Sequence, residues 1–344
     1  MINMKKIVLF NHKGGVSKTT STFYLGWMIA EMGHKVLLVD ADPQCNLTAL
    51  FLGEEFDSYY DEPATRNQNI KDGVKNAFIG APRPIEAVSC KSAIRNPNLF
   101  LLAGHMNLSE YEANLTFAFT ASQAMMTLQS LPGSFNDLIE KTARAIGIEY
   151  VFIDLNPGLS TINQDFFLIS DAFIIPTNPD TFSLMAIKSL SQILPRWVNW
   201  KKNNISEYEN SAYPLPEGTP KFIGSLPQRF NIRNGMPTKP FRVKIDELQS
   251  IIDNTLMPAL QSAGMLFTPA QYSYAGIEGN CKLSEIKDFQ GLAPKSLGVN
   301  VPVFALTDAE LETKGAALDA QRNNRETFRD IYTTVANMII KVLQ

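Results

Sequence analysis

Cysteine is scarce in this 344-residue chain, and its few cysteines are not paired in sequence. Cys45, Cys90 and Cys281 are widely separated, and none forms a C-x-x-C motif. A disulfide framework or a zinc site needs paired or closely spaced cysteines, so the spacing argues against both. An odd, scattered set of thiols is typical of a reducing compartment, and we therefore expect a cytoplasmic protein.

The sequence also lacks long apolar runs and a large net charge. The first apolar run, residues 7–10, ends at polar residues 11–13 and is too short for a signal-peptide core. No segment approaches the ~18 consecutive apolar residues that a membrane helix needs. The formal charge of −3 does not suggest an obligate nucleic-acid binder, although it leaves room for a local basic patch.

Short apolar runs alternate with helical patterns along the chain. We predict strands at residues 7–10, 36–39, 99–102, 150–153, 172–175, 222–226 and 301–304. We predict helices at residues 18–32, 135–146, 184–200 and 245–263. Continuously apolar strands separated by helices predict an α/β fold, with a mostly parallel sheet and helices on both faces.

Three segments interrupt this alternation. Residues 53–97 are polar, residues 203–220 contain three prolines, and residues 270–300 match no regular element. None has the composition of a flexible linker between domains. We therefore predict a single domain over residues 1–344, with excursions near 53–97, 203–220 and 270–300.

The most informative segment is residues 11–20, which lie between a predicted strand and a predicted helix and read NHKGGVSKTT. Gly14 and Gly15 allow a tight turn whose N–H groups face a phosphate, and the helix N-terminus adds positive potential. Lys18 is placed to reach the β- and γ-phosphates, and the Thr19 hydroxyl to bind Mg²⁺. A glycine turn that merely lies beside surface lysines is the alternative, and the strand–helix context disfavours it.

Carboxylates follow two of the predicted strands. Asp40 and Asp42 come after the second strand, and Asp154 ends a later one. Ligands of parallel α/β sheets bind beyond the carboxyl ends of the strands, where such side chains can hold hydrated Mg²⁺ and orient a water. Each aspartate taken singly could instead cap a loop or helix.

These three segments resemble the ParA/MinD family of deviant Walker P-loop ATPases, and they are closer to its ParA branch. HKGGVSKTT is similar to the family's Walker A loop, in which His12 and Ser17 replace the glycines of the ordinary pattern. VLLVDADPQCNLT resembles its A′ motif, and YVFIDLNPG its Walker B motif. The resemblance implies that ATP and Mg²⁺ are the cofactors. It also implies a nucleotide-binding set formed by Lys13, Gly14, Gly15, Val16, Ser17, Lys18, Thr19 and Thr20.

The same resemblance implies individual roles. Lys13 matches the signature lysine, which reaches across an ATP-bound homodimer to the partner's phosphates. Asp42 matches the residue that orients the hydrolytic water, so Lys13 and Asp42 are the expected catalytic pair. Thr19, Asp40 and Asp154 are the expected magnesium residues. Slow ATP hydrolysis stimulated by a partner is the expected activity.

Basic residues are concentrated in residues 188–244, which contain ten Lys and Arg against three Glu. That segment therefore carries a formal charge of +7, and the rest of the chain −10. ParA relatives bind nonspecific DNA through basic residues in this part of the chain, and a converging patch would do the same here. The alternative is a set of solvated side chains dispersed over several faces.

The C-terminal segment carries an apolar stripe at helical spacing, from Phe328 to Leu343. MinD relatives bind membranes through a C-terminal amphipathic helix, but only Arg329 and Lys341 could supply its cationic face. A helix docked on the core is the better interpretation, so no membrane partner is expected. The chain also starts close to its first strand, and we expect no site-specific DNA-binding extension there.

From these residues we expect an ATPase that partitions plasmids or chromosomes on nonspecific DNA with a ParB-like adaptor, and so a cytoplasmic, nucleoid-associated protein. One alternative is the positioning of another cargo, or a MinD-like regulator at a membrane. Another is an ATP-switched interaction module, for example in phage defence. The stretch directly after Asp154, LNPGLST, contains no cysteine, which disfavours the electron-transfer role of the related nitrogenase iron protein.

Overall fold

The computed structural model describes residues 4–121, 128–233 and 236–344. Its strands are β1 (Lys5–Leu9), β2 (Val36–Asp40), β3 (Lys91–Ala93), β4 (Asn96–Leu102), β5 (Tyr150–Asp154), β6 (Ala172–Thr177), β7 (Lys221–Phe230), β8 (Ile232–Arg233), β9 (Met236–Pro237) and β10 (Ile286–Lys287). Within the described residues, eight of them form one sheet in the order β10-β7-β6-β1-β5-β2-β4-β3, and β8 pairs with β9. Neighbours in the sheet are parallel except β3 and β4. The predicted mostly parallel sheet is confirmed.

Helices separate most of these strands. They are α1 (Lys18–Glu31), α2 (Asn46–Leu52), α3 (Phe56–Asp61), α4 (Ile70–Phe78), α5 (Glu112–Ala121), α6 (Ser134–Ile146), α7 (Thr161–Leu168), α8 (Thr181–Asn204), α9 (Lys239–Ile251), α10 (Met257–Ser262), α11 (Pro269–Ala275), α12 (Leu292–Gly298) and α13 (Ala316–Val342). The helix predicted at 245–263 is confirmed as α9 and α10, joined by a π-helical turn at Ile252–Leu256. Pro258, which has no backbone N–H, lies in the first turn of α10.

The carboxyl ends of the central strands β1, β5 and β2 lie side by side in the sheet. Every residue of β2, β5 and β6 is buried, as expected for central parallel strands covered on both faces. In the strand register, Leu9 of β1 lies opposite Asp154 of β5, and Asp154 lies opposite Asp40 of β2. The ends of these three strands are therefore level, and α1 begins after the loop that leaves β1.

The strand predicted at residues 301–304 is wrong. Val303–Ala305 instead form a 3₁₀ turn, and side chains satisfy the backbone that a strand would have paired. Val303 N donates to Tyr24 Oη at 3.2 Å, and Arg329 donates to the Phe304 carbonyl oxygen at 2.9 Å. The segment is apolar because it packs between α1 and α13, and Pro302 has no N–H to give to a sheet.

The segments that interrupt the sequence pattern contain short elements. Residues 53–97 include α3, α4 and β3, and residues 270–300 include most of α11 together with β10 and α12. The C-terminal helix α13 buries Phe328, Tyr332, Val335 and Ile339, so the predicted core-docked helix is confirmed. Over the described ranges, no helix has the length and apolar character that crossing a membrane requires.

Candidate nucleotide-binding site

The loop between β1 and α1 turns through two residues in left-handed conformations. Gly15 has φ +71° and Ser17 has φ +58°. Glycine adopts such a φ without penalty, whereas serine does so at a cost, which indicates that the surrounding structure holds Ser17 in place. The turn aims the start of α1 at the strand ends, where the first N–H groups of a helix have no partners within that helix. This geometry is that of a phosphate-binding loop.

The side chain of Lys18 folds back over this loop. Its ammonium donates to the carbonyl oxygens of Asn11, at 2.9 Å, and of Lys13, at 3.2 Å. The residue is only 6% exposed, and burial lowers the pKa of Lys18, while the nearby carboxylates of Asp154 and Asp42 act in the opposite direction. A buried ammonium held by loop carbonyls is placed to exchange them for phosphate oxygens.

Thr19 and Asp154 meet at the carboxyl edge of the sheet. The Thr19 hydroxyl donates to Asp154 Oδ2 at 2.6 Å, and the buried Asp154 Oδ1 has no hydrogen-bond partner among the described residues. Burial raises the pKa of Asp154, which shows how poorly this site solvates a negative charge without a counterion. A hydroxyl, a carboxylate and one unpaired buried oxygen are the donor set that a hard divalent cation accepts, so these residues fit Mg²⁺.

Asp40 and Asp42 lie one strand away. Asp40 accepts hydrogen bonds from Thr48 N at 2.8 Å, Thr48 Oγ1 at 2.7 Å and Asp42 N at 3.2 Å. Through these bonds Asp40 holds the loop between β2 and α2 in place. Its role in binding Mg²⁺ stays a prediction. Asp42 accepts a hydrogen bond from Gln44 N at 2.9 Å, is 5% exposed, and interacts electrostatically with Lys18. Its catalytic role stays a prediction.

No group of three or more His, Cys, Asp and Glu side chains that could hold a metal occurs in the described part of the chain. A cation held by Thr19 and Asp154 would therefore need further ligands that are not protein carboxylates. Mg²⁺ commonly binds through one or two carboxylates, with waters and substrate phosphates as its other ligands. The sparse protein ligand set is consistent with that mode.

Lys13 does not point toward Lys18 in this structure. Its ammonium forms an ion pair with Asp180 and donates to Ser183 Oγ at 3.1 Å. Neither partner was identified from the sequence, where only the D-x-x-S pattern at residues 180–183 marks a helix N-cap. Long-range pairing of this kind leaves no local sequence signal.

A second group of residues missed by sequence analysis comes from the end of β7. Gln228 Nε2 donates to Ser21 Oγ at 2.7 Å, and Arg229 donates to the Gly15 carbonyl oxygen at 3.3 Å from a backbone with φ +59°. Ser17, Thr20, Gln228 and Arg229 line a cavity of about 270 Å³ beside the loop, together with residues 286–289 and 293. Val16, also a predicted member of the site, is buried, with 1% of its surface exposed.

The basic segment 188–244 does not form one continuous cationic face. Lys201 is buried, Lys202 and Lys221 donate to backbone carbonyls, and Arg242 and Lys244 form ion pairs. The side chain of Arg233 lies outside the described residues. Trp197 is largely buried against Phe10 and Phe167. Five cations of the segment are exposed and form no ion pair with a described residue: Lys188, Arg196, Lys202, Arg229 and Lys239. Of these, Lys202 and Arg229 each donate to a backbone carbonyl oxygen.

A phosphate loop between a central parallel strand and a helix, with Lys18, Thr19 and Asp154 around it, defines a P-loop NTPase fold. The family model described as an AAA domain (AAA_31) matches residues 4–206, which is more than half of the chain, and the chain belongs to this family. The chromosome partitioning protein ParA of Caulobacter vibrioides is 27% identical over 195 residues, which are 56% of this chain and 63% of that protein. The resemblance to the ParA/MinD family is confirmed.

Two solved structures show the same fold. A variant of McdA from Cyanothece in complex with ATP has a TM-score of 0.58 at 18% identity, over 96% of this chain and 97% of that one. The pNOB8 ParA protein bound to nonspecific DNA has a TM-score of 0.56 at 16% identity, over 99% and 98% of the two chains. The first curated relatives, which include proteins of Methanocaldococcus jannaschii and Mycobacterium tuberculosis, match over 52–63% of their own lengths.

Proposed function

We propose that this protein is a Mg·ATP-dependent ATPase that dimerises with ATP, binds DNA without sequence preference, and partitions a plasmid or chromosome with a ParB-like adaptor. The observation that carries the proposal is the convergence of Lys18, Thr19 and Asp154 at a phosphate-binding loop in a chain of this family. Such a protein is cytoplasmic and nucleoid-associated. The single-domain organisation over residues 1–344 belongs to the same proposal.

The residues of the site have distinct tasks in this account. The loop from Gly14 to Thr20 and the start of α1 bind the phosphates, and Lys18 leaves the Asn11 and Lys13 carbonyls to pair with them. Thr19 and Asp154 hold Mg²⁺, which supplies charge neutralisation at the phosphates when it is bound. Phosphoryl transfer depends mainly on positioning and positive charge, and this site supplies both.

Asp42 and Lys13 complete the catalytic set. We infer that Asp42, whose carboxylate interacts electrostatically with Lys18, accepts a hydrogen bond from the attacking water. Lys13 supplies a further positive charge when a second copy docks, so hydrolysis depends on assembly. A lysine delivered in this way gives slow intrinsic turnover that a partner protein can accelerate.

The proposed DNA surface consists of the five exposed cations that form no ion pair with a described residue, which are Lys188, Arg196, Lys202, Arg229 and Lys239. Support for it comes from these unpaired charges and from the similar ParA protein that was solved on nonspecific DNA. Few cations per chain give weak binding, and a dimer doubles their number. DNA binding that strengthens with ATP is therefore the expected behaviour.

A second candidate is the positioning of a cargo other than DNA. The observation that favours it is a curated relative from Gloeothece citriformis, named maintenance of carboxysome distribution protein A, which is 32% identical over 183 residues. That role would use the same ATP switch with a different cargo and a different adaptor. A MinD-like membrane regulator is less favoured, because α13 packs its apolar stripe on the core.

The experiment is ATP hydrolysis by the purified chain, measured with Mg²⁺, with chelator, and with GTP in place of ATP. Mg²⁺-dependent turnover that prefers ATP and rises with protein concentration would support the proposal. Turnover that is independent of Mg²⁺, or a failure to bind ATP, would contradict it. Lys75→Ala, which removes an exposed lysine on α4, is a control for nonspecific charge effects.

A further inference from the structure

We propose that Asp180 and Ser183 are positioning residues that hold Lys13 in the free chain, and that this contact must open before Lys13 can serve a second copy. The inference rests on the proposed ATP dimer. Breaking the contacts of Lys13 with Asp180 and Ser183 requires free energy, and this requirement makes dimerisation less favourable. Asp180 and Ser183 therefore set how much ATP is needed to assemble the dimer.

The contact on Lys13 comes from three groups. Its ammonium pairs with Asp180 Oδ2 and donates to Ser183 Oγ at 3.1 Å, while its backbone N–H donates to Asn11 Oδ1 at 3.0 Å. The Lys13 side chain is 18% exposed, so most of its length is covered. A lysine that satisfies two hydrogen bonds in its own chain loses both when it reaches elsewhere.

Asp180 is itself fixed in position. Its Oδ1 accepts from Ser183 N at 2.8 Å, which makes Asp180 the N-cap of the 24-residue helix α8, while its Oδ2 takes Lys13. Partial burial alone would raise the pKa of Asp180, but the hydrogen bonds from Lys13 and from Ser183 lower it, so the group is ionised at neutral pH. Both carboxylate oxygens are occupied, and the acceptor is oriented before Lys13 arrives.

The same stretch of chain is fastened to the phosphate loop at two further points. Asn11 Nδ2 donates to the Pro176 carbonyl oxygen at 2.9 Å, and Asn178 Nδ2 donates to the Gly15 carbonyl oxygen at 2.9 Å. The end of β6 and the start of α8 thus form one unit with the loop that binds phosphate. A movement of Lys13 therefore affects the start of α8 directly, because these hydrogen bonds already join the loop to that helix.

The first turn of α8 also presents apolar side chains to solvent. Phe182 is 71% exposed and Met185 is 63% exposed, next to the residues that hold Lys13. Exposed aromatic and methionine side chains are enriched at protein interfaces, which fits a face that a second copy covers. The helix continues to the exposed cations Lys188 and Arg196, so opening the contact acts on the helix that carries part of the proposed DNA surface.

The test compares the wild-type chain with Asp180→Asn. Asparagine caps a helix as well as aspartate does, so α8 keeps its N-cap, while the charge that holds Lys13 is removed. The ATP concentration at half-maximal dimerisation, measured by analytical ultracentrifugation with Mg²⁺, should fall about 1.4- to 5-fold, the range for losing a partly exposed ion pair. Ser183→Ala should lower it less, because only a neutral hydrogen bond is lost.

Asp137→Asn is the matched control, because it removes a Lys–Asp pair in the first turn of another helix, α6, where Asp137 pairs with Lys141. It should leave the ATP midpoint unchanged. A second readout is the acetylation rate of Lys13 in nucleotide-free chain, measured by mass spectrometry. That rate should rise in Asp180→Asn and not in Asp137→Asn, whatever happens on addition of ATP.

The outcomes separate this inference from the proposed function. An unchanged or higher ATP midpoint in Asp180→Asn would overturn the inference while the ATP dimer stood. An unchanged acetylation rate would overturn it independently, because the contact would then not restrain Lys13. If neither chain dimerised although both bound ATP, the dimer itself would be refuted, and the inference with it.

Discussion

The Thr19 hydroxyl donates a 2.6 Å hydrogen bond to Asp154 Oδ2, which joins the first turn of α1 to the end of β5. The two residues are 135 positions apart in sequence, and the parallel register of β1 and β5 brings them together. A helix start and a strand end thus share one potential cation site. Binding of a cation at this site would depend on the contact between Thr19 and Asp154.

Removing the hydroxyl should weaken the response to Mg²⁺. In Thr19→Ala we expect the Mg²⁺ concentration for half-maximal ATP hydrolysis to rise at least about tenfold, because a cation ligand is lost. Thr19→Ser keeps the hydroxyl and should stay close to wild type. Titration of hydrolysis with Mg²⁺ measures both variants, and equal midpoints in all three chains would count against Thr19 as a magnesium ligand.

Lys18→Ala should strongly weaken nucleotide binding. The buried ammonium has no substitute at the loop, and loss of a charged hydrogen-bond donor costs about 2–3 kcal/mol, or roughly 30- to 150-fold in affinity. Isothermal titration calorimetry with a nonhydrolysable ATP analogue measures the change. Lys75→Ala on α4 is the exposed-lysine control. If Lys18→Ala bound the analogue as tightly as that control does, the loop would have been assigned wrongly.

Asp42→Ala should separate binding from turnover. The variant keeps Lys18, Thr19 and Asp154, so ATP still binds and dimers accumulate, but the attacking water loses its orienting carboxylate. We expect a persistent ATP dimer and a hydrolysis rate lowered about 100-fold or more. Single-turnover hydrolysis and sedimentation give the two readouts, and Asp57→Ala, an exposed change on α3, is the control. Rapid turnover in Asp42→Ala would exclude the catalytic role.

Asp165 gives a prediction about stability rather than activity. Burial raises the pKa of its fully enclosed carboxyl well above the usual value, against the opposing effect of Lys201. A raised pKa means that the folded state favours the protonated form, so this stabilisation is complete below the unfolded pKa of about 3.9 and is lost as pH rises toward the folded pKa. The free energy of unfolding of Asp165→Asn and of wild type is measured with urea at several pH values. The difference between them should shift in favour of the variant from about pH 4 to pH 7, by at most about 1.4 kcal/mol per pH unit. A constant difference across that range would contradict the shifted titration.

The centre of the fold could be predicted from the sequence because its signals are local. The strands at residues 36–39 and 150–153 are continuously apolar, and each ends in an aspartate at the edge where the site lies. The loop at residues 11–20 has its glycines and lysines within ten positions. The apolar runs of the strands and the spacing of glycines and lysines in the loop are sufficient to predict these elements.

Other features depend on contacts between distant residues. The run at 301–304 has the composition of a strand, but Tyr24 and Arg329 satisfy its backbone instead of a sheet. The ion pair of Lys13 with Asp180 spans 167 positions, and Gln228 reaches the phosphate loop from 207 positions beyond its partner Ser21. The charge of residues 188–244 predicts a basic segment, but it could not predict that six of its ten cations form hydrogen bonds or ion pairs within the fold.

The most direct test of the account is the binding of random-sequence duplex DNA by the chain with Mg·ATP, with ADP and without nucleotide. The account predicts binding only with ATP, at an affinity that falls roughly 100-fold between about 50 and 200 mM salt if four phosphates are contacted. Lys13→Ala should fail to bind although it still binds ATP. Two results would contradict the proposed ATP-dependent DNA binding. One is DNA binding of equal strength with ATP, with ADP and without nucleotide, and the other is no DNA binding under any of these conditions by a chain that dimerises with ATP.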